Sequence, residues 1–401
     1  MGRALGNLVV VLAVIGLSGC WLQPGFGSER TAYNPLESTV GPSNVGRLHV
    51  VWNVALGASP AHDPVVVPGK VLVTDDGGLY ALDWATGAVV WHNVLDPNGG
   101  GTGDATVNGP SVYVPDFSRQ ATRSFDVQTG QEQAHVASGD YGAAIVRGSK
   151  VVSDHAGFGM VSSVGVEVDD LSDPTQSWAS TEGIRGGGFN DPAPTSAAVA
   201  SDRFVFGLGG SVVAYTLAPP TCPAPRTPPL PTPCTPLWST PVGFTASVPV
   251  IDNASVFAGT ATGLSVLLAT NGESDWYANL GAAVAQPPAV ANGVAYAGTA
   301  DGRLAAFSVN TCRHNPSPCS PSWTANLPSP MSAQPAVANG IVYTASADGT
   351  LEAFAANGCP ASPCRPLWTT NTGSQVTGAP AITLGRLIVA TTNGHVIAYA
   401  T

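Results

Sequence analysis

Charged side chains make up only 10% of these 401 residues, so the places where they gather are where chemistry is to be sought. His62-Asp63, Asp104, Asp140-Tyr141, Arg185 and Asn190-Asp191 fall in the first half of the chain, each at the approach to a short apolar run, and Gln286 and Gln334 hold matching places later. Carboxylates, amides and a guanidinium gathered at one mouth would suit a cation, a sugar or a peptide; held apart, they form a solvated rim. The longest of these loops, 182–191, carries Gly186-Gly187-Gly188, and a long loop on a rigid scaffold is where function tends to sit. The patterns of catalysis are missing. The seven histidines, at 49, 62, 92, 135, 155, 314 and 395, have no ligand spacing. There is no Gly-x-Ser-x-Gly elbow and no phosphate-cradling P-loop. Asp75-Asp76-Gly77-Gly78 comes nearest to a calcium loop, which needs several alternating carboxylates. No catalytic residue and no metal ligand is expected.

The elements that must position those loops are set out by tryptophan. Seven of the nine, Trp52, Trp91, Trp178, Trp238, Trp276, Trp323 and Trp368, each close a copy of one unit. The unit runs apolar strand, tight turn, apolar strand, tight turn, Ala-aromatic, turn, Trp. Several short strands recurring at a period of about 40–60 residues mark a β-propeller. Asn292-Gly293 and Asn339-Gly340 join first to second strands; Asp301-Gly302, Asp348-Gly349 and Asn393-Gly394 join second to third. Such pairs accept the positive φ of tight hairpins, so those aspartates are turn formers first.

Seven complete units span 59–372. The strand at 48–56 has a Trp but no three strands before it, whereas 377–401 supplies three strands and stops before its Trp. The halves complete each other. The fold expected is all-β, an eight-bladed propeller over 48–401 closed by the N-terminal strand, with seven blades as the fallback if the degenerate third unit, around 157–173, forms no sheet. In the second unit Ala134 replaces the Trp. The loops leading into the first strands then share one face with the second-to-third-strand turns, called here the mouth face. The first-to-second and third-to-fourth turns occupy the opposite turn face. The candidate ligand residues lie on the mouth face.

Residues 1–20 have the shape of a targeting segment, with Arg3, an apolar run at 5–17 and Leu17-Ser18-Gly19-Cys20. That ending resembles the bacterial lipobox, which implies a lipidated Cys20 as first residue of the mature chain, and 21–47 is then expected as a tether and lead-in. Six cysteines remain, paired by proximity as Cys222/Cys234, Cys312/Cys319 and Cys359/Cys364, each second member four residues before a unit Trp. Three local disulfides in an oxidising compartment follow. A net charge of −11 argues against nucleic acid and against anionic headgroups as partners. The membrane is expected to be met through the lipid alone.

Ala81-Leu82-Asp83-Trp84-Ala85-Thr86-Gly87-Ala88-Val89-Val90-Trp91, with weaker copies along 48–401, resembles the repeat of pyrroloquinoline-quinone-type propellers. The resemblance implies that the repeat's Asp, Thr, Gly and Trp pack the blades. It implies two functional branches. In the quinone dehydrogenases, which are much longer, an adjacent-cysteine disulfide, a calcium site and an Asp base accompany the cofactor, and this sequence has no Cys-Cys pair. In the lipoprotein branch the propeller is a non-catalytic scaffold for outer-membrane assembly. The expectation is a monomeric binding or scaffolding propeller, held outside the cytoplasmic membrane and facing the periplasm or the exterior, with an envelope protein or a small polar ligand as partner and no cofactor. The alternative is an oxidoreductase acting on an alcohol or sugar through pyrroloquinoline quinone and calcium.

Overall fold

Short apolar runs separated by positive-φ turn residues leave the chain little choice but antiparallel hairpins, and these assemble into eight sheets around a ring. The structure is a computed structural model that describes residues 19–95, 101–119, 121–137, 144–156, 162–173, 176–180, 184–185, 195–218, 235–243, 247–313, 318–360 and 362–401. Blade 1 consists of Val65–Val67, Lys70–Asp75, Gly78–Asp83 and Val89–Val94, and blades 2 to 7 repeat that order. Blade 8 takes Ala381–Thr383, Arg386–Ala390 and His395–Ala400 from the C-terminus and His49–Ala55 from the N-terminus. The expected closure is therefore present, and the ring has eight blades. Blade 3 forms in spite of its degenerate sequence, and Ile184–Arg185 adds a further short strand to its third strand.

Each blade is sandwiched by two neighbours, so its middle strands are buried on both faces and are apolar almost throughout, as in Val71-Leu72-Val73 and Leu79-Tyr80-Ala81-Leu82. The tryptophans sit in one register opposite a small or β-branched residue of the third strand: Ala81 faces Trp91, Ala214 Trp238, Ala306 Trp323, Ala353 Trp368 and Ala398 Trp52. Each indole reaches across a seam. Trp52 Nε1 donates to Trp84 O at 3.1 Å, Trp238 Nε1 to Ala269 O at 3.0 Å and Trp323 Nε1 to Ala356 O at 3.3 Å. The Asp-x-x-Thr-Gly motif shapes the turn that receives it. Asp83 accepts the Thr86 hydroxyl and the Thr86 and Ala85 N–H groups, and Gly87 follows at φ +73°. A Cβ at Gly87 would stand 2.8 Å from the Trp52 ring, which is why glycine occupies that place.

Two of the three expected disulfides are present, Cys312–Cys319 and Cys359–Cys364; Cys222 and Cys234 lie outside the described residues. The segment 21–47 departs from its expectation as a tether. Trp21, Ala32, Asn34, Val40 and Val45 are buried, and the chain from Gly19 onward is built into the ring. A Cβ at Gly25 or Gly41 would come within 3 Å of Gln334 or Asn339, so these two glycines let the segment pack closely against the ring. Among the described residues no helix is long and apolar enough to cross a membrane.

Candidate functional site

The first strands of the blades line the axis, neighbour against neighbour. Each is an inner edge whose middle residue turns backbone groups into the channel, and at blade 7 the short strand Tyr33–Asn34 pairs with it in parallel. The segment 21–34 answers them one blade at a time. Val66 N donates to Trp21 O at 2.6 Å, Val107 N to Leu22 O at 2.8 Å, Val199 N to Ser28 O at 2.7 Å, Ile251 N to Glu29 O at 3.0 Å, Val290 N to Thr31 O at 2.9 Å and Val337 N to Ala32 O at 2.8 Å. At blade 3 the Gln23 amide takes both groups of Val146, and at blade 8 Asn34 Nδ2 donates to Ile382 O at 2.8 Å. So one segment contacts all eight inner strands in ring order. To follow this path Phe26, Arg30 and Ala32 adopt φ of 80°, 62° and 51°, costly for residues with a Cβ and tolerated because the surrounding bonds fix each one.

From this segment Arg30 extends into the axis. It is 7% exposed, its backbone oxygen accepts Gln334 Nε2 at 2.8 Å, and its Nε and Nη1 have no hydrogen-bond partner. Burial pulls its pKa down, while the charges of Asp104, Asp63 and Asp154 push it up. Asp63 and Asp104, both expected on the mouth face, are brought together: Asp63 N donates to Asp104 Oδ1 at 3.1 Å. Burial, and next the Asp104 charge, hold the Asp63 carboxyl well above the usual carboxylate range, against the pull of Arg30 and of the Ala379 N–H. A Cβ at Gly378 would overlap the Asp63 carboxylate, so that glycine makes the room. The result is a buried guanidinium facing carboxyl groups from blades 1, 2 and 3.

The other expected residues separate from this cluster. His62 lies beside Asp76, Nε2 to Oδ1 3.4 Å. Arg185 is described only through its backbone pairing with Ser162, and Asp140, Tyr141, Asn190 and Asp191 lie outside the described residues. Arg30 and Asp154 were not among the expected site residues. The available signal was Glu29-Arg30, the charged pair in an otherwise uncharged stretch of 21–36. Asp75, the nearest approach to a calcium loop in the sequence, shapes a turn by accepting the N–H groups of Ala58, Gly77 and Gly78. On the turn face, Glu29, Asp202, Arg203 and Asp252 border a pocket of about 580 Å³ between blades 4 and 5. Arg203 there is held by Asp202 and by Ala269 O.

The quinone and metal implied by the repeat's resemblance can be tested against these residues, and the residues described do not fit them. No group of three His, Cys, Asp or Glu among them is placed to hold a metal ion, and the axial carboxyl groups face Arg30. A stacked quinone needs an open aromatic face. The rings on the axial segment are Trp21, which is fully buried, Phe26, packed edge to face against it at 5.4 Å, and Tyr33, partly buried with its hydroxyl donating to Asn292 Oδ1 at 3.1 Å.

The sequence profile of the family described as outer membrane protein assembly factor BamB matches residues 48–218, 234–315 and 320–401. No curated protein matches the chain. Among solved structures, a europium-containing methanol dehydrogenase superposes with a TM-score of 0.72 at 14% identity, covering 96% of this chain and 98% of that one. BamB from Moraxella catarrhalis gives 0.63 at 13% identity, covering 88% and 100%. Quinohemoprotein alcohol dehydrogenase from Comamonas testosteroni gives 0.70 at 16%, covering 95% and 80%. Identities this low speak for the shared propeller alone.

Proposed function

The chain belongs to the family described as outer membrane protein assembly factor BamB, and from that premise we infer that it is a non-catalytic binding and scaffolding propeller of the cell envelope, anchored by a lipid on Cys20. The observation that carries the reading is the axial segment: the place where a propeller usually keeps a small ligand is filled by residues 21–34 of the same chain, with Arg30 at its centre. What remains for a partner is the outer surface, and the rigid ring suits a protein partner because little order has to be imposed on binding. Cys20 is 4% exposed, and burial pushes its thiol pKa up.

The test sets the two branches of the family against each other. The purified protein is titrated with pyrroloquinoline quinone and Ca²⁺ while its absorbance and melting temperature are followed. The scaffold reading expects no change in either. A saturable rise in melting temperature with a quinone absorbance shift would favour the oxidoreductase instead. Chemical cross-linking of the tagged protein in its own envelope is expected to yield one stoichiometric protein partner.

A further inference from the structure

The axial segment starts on the turn face, and its start is fixed tightly. Gly19, which the lipobox reading removes with the leader, marks in the uncleaved chain where residue 20 leaves the ring, its O accepting Asn34 Nδ2 at 2.9 Å and the Thr383 hydroxyl; Trp21 O, which remains, is bonded to blade 1. In the mature chain only Cys20 precedes Trp21, so an anchor at that residue has no slack chain behind it. A Cβ at Gly19 would stand 3.5 Å from Leu36 Cβ. Leu36 is 56% exposed, and Leu384, next to Thr383, is 53% exposed. Leu384 is anomalous as a turn residue. It has φ +51° in the first-to-second-strand turn of blade 8, where blades 5, 6 and 7 place Asn253, Asn292 and Asn339 at 51°, 51° and 43°. Asparagine tolerates that conformation, while leucine is strained in it. Here the leucine carries strain and displays its side chain to solvent at the same time. Nearby, Trp84 has the Arg386 guanidinium over its ring at 4.8 Å, a pairing suited to the boundary between apolar and aqueous phases. The neighbouring carboxylate of Glu37 is consumed internally by the N–H groups of Thr39, Val40 and Gly385.

We propose that Leu36 and Leu384, around the exit of residue 20, dip into the lipid bilayer, so that the turn face lies flat on the membrane and the mouth face with Asp63 and Asp104 points into the aqueous space. This rests on the reading of Cys20 as lipidated. Insertion covers the two exposed leucines and gives a turn that departs from its repeat a reason to do so. It also assigns the partner-binding role to the mouth face and the blade rims.

The mature lipidated chain, purified from expressing cells, is reconstituted into phosphatidylcholine liposomes containing doxyl-labelled lipid. Separate variants Leu384→Cys, Leu36→Cys and Ala347→Cys carry nitrobenzoxadiazole; Ala347 is exposed in a second-to-third-strand turn of the mouth face. Quenching at Leu384→Cys and Leu36→Cys is expected to exceed that at Ala347→Cys at least twofold. Equal quenching in protein that floats with the liposomes overturns the orientation while leaving the anchor standing. Protein that does not float shows that the anchor itself is wrong, and the proposal falls with it. Leu384→Asn supplies a second check, with an expected unchanged or higher melting temperature in detergent. A lower one would mean that Leu384 is held by the protein, and would refute lipid contact as its reason.

Discussion

Glu352 offers a quantitative test of how the blades are packed. It lies in the third strand of blade 7, opposite Thr344 and Thr369, and is 7% exposed. Its Oε2 and the Thr344 hydroxyl have no hydrogen-bond partner. The matching places in blades 5 and 6 hold Ser265 and Ala305. Burial, and next the Asp348 charge, raise its carboxyl from 4.5 to about 7. At about 1.4 kcal/mol per pH unit, ionising it in the fold costs about 3 kcal/mol. The sign follows from proton linkage: the native state binds the extra proton between pH 4.5 and about 7, so the stability it contributes is complete below 4.5 and lost as pH rises through 7. Glu352→Gln keeps the shape and removes the titration. Guanidinium unfolding and calorimetry at pH 4, 6 and 8 should show the variant level with the parent at pH 4 and more stable by about 3 kcal/mol at pH 8. With roughly 2.1 cal/mol/K of unfolding entropy per residue, that is about 4 °C in Tm for a body of this size. Parallel stability profiles for the two proteins would refute the claim that this carboxyl is buried without compensation.

Trp238→Ala removes a buried indole from the seam between blades 4 and 5 together with its bond to Ala269 O; about 3–5 kcal/mol of stability should be lost in denaturant titration, and a loss below 1 kcal/mol would contradict the wedge. The double change Cys359→Ser with Cys364→Ser opens a loop of sequence separation 5 and should cost about 2 kcal/mol on the chain-entropy account. Non-reducing peptide mapping of the parent should recover the Cys312–Cys319 and Cys359–Cys364 pairs, and crossed pairs would overturn them.

The blades were legible because their signals are local and carried by side chains. Trp, Asp-x-x-Thr-Gly and Asn-Gly each report a turn or a packing place within a few residues, and the split last unit announced its own closure. The axial segment was illegible for the opposite reason. It bonds mainly through backbone carbonyls of Trp21, Leu22, Ser28, Glu29, Thr31 and Ala32, and a carbonyl leaves no mark on residue type. The polar cluster was half legible. Asp63 and Asp104 stood out as scarce charges at neighbouring blades, but Arg30 answers them from a stretch whose composition suggests a spacer, and Asp154 is buried within a second strand.

The axial segment also has a bearing on how such rings evolve. Propellers are thought of as arrays that grow or shrink by duplicating or losing one repeat. Here the eight inner strands are matched to successive positions between residues 21 and 34, from Val66 at one end to Ile382 at the other. A ninth blade would bring an inner strand for which the segment has no acceptor, and a missing one would strand an acceptor already in place. The first fifteen or so residues of the folded body thus act as a tally of the rest. Changing the number of repeats in this lineage would require rewriting that tally in the same event.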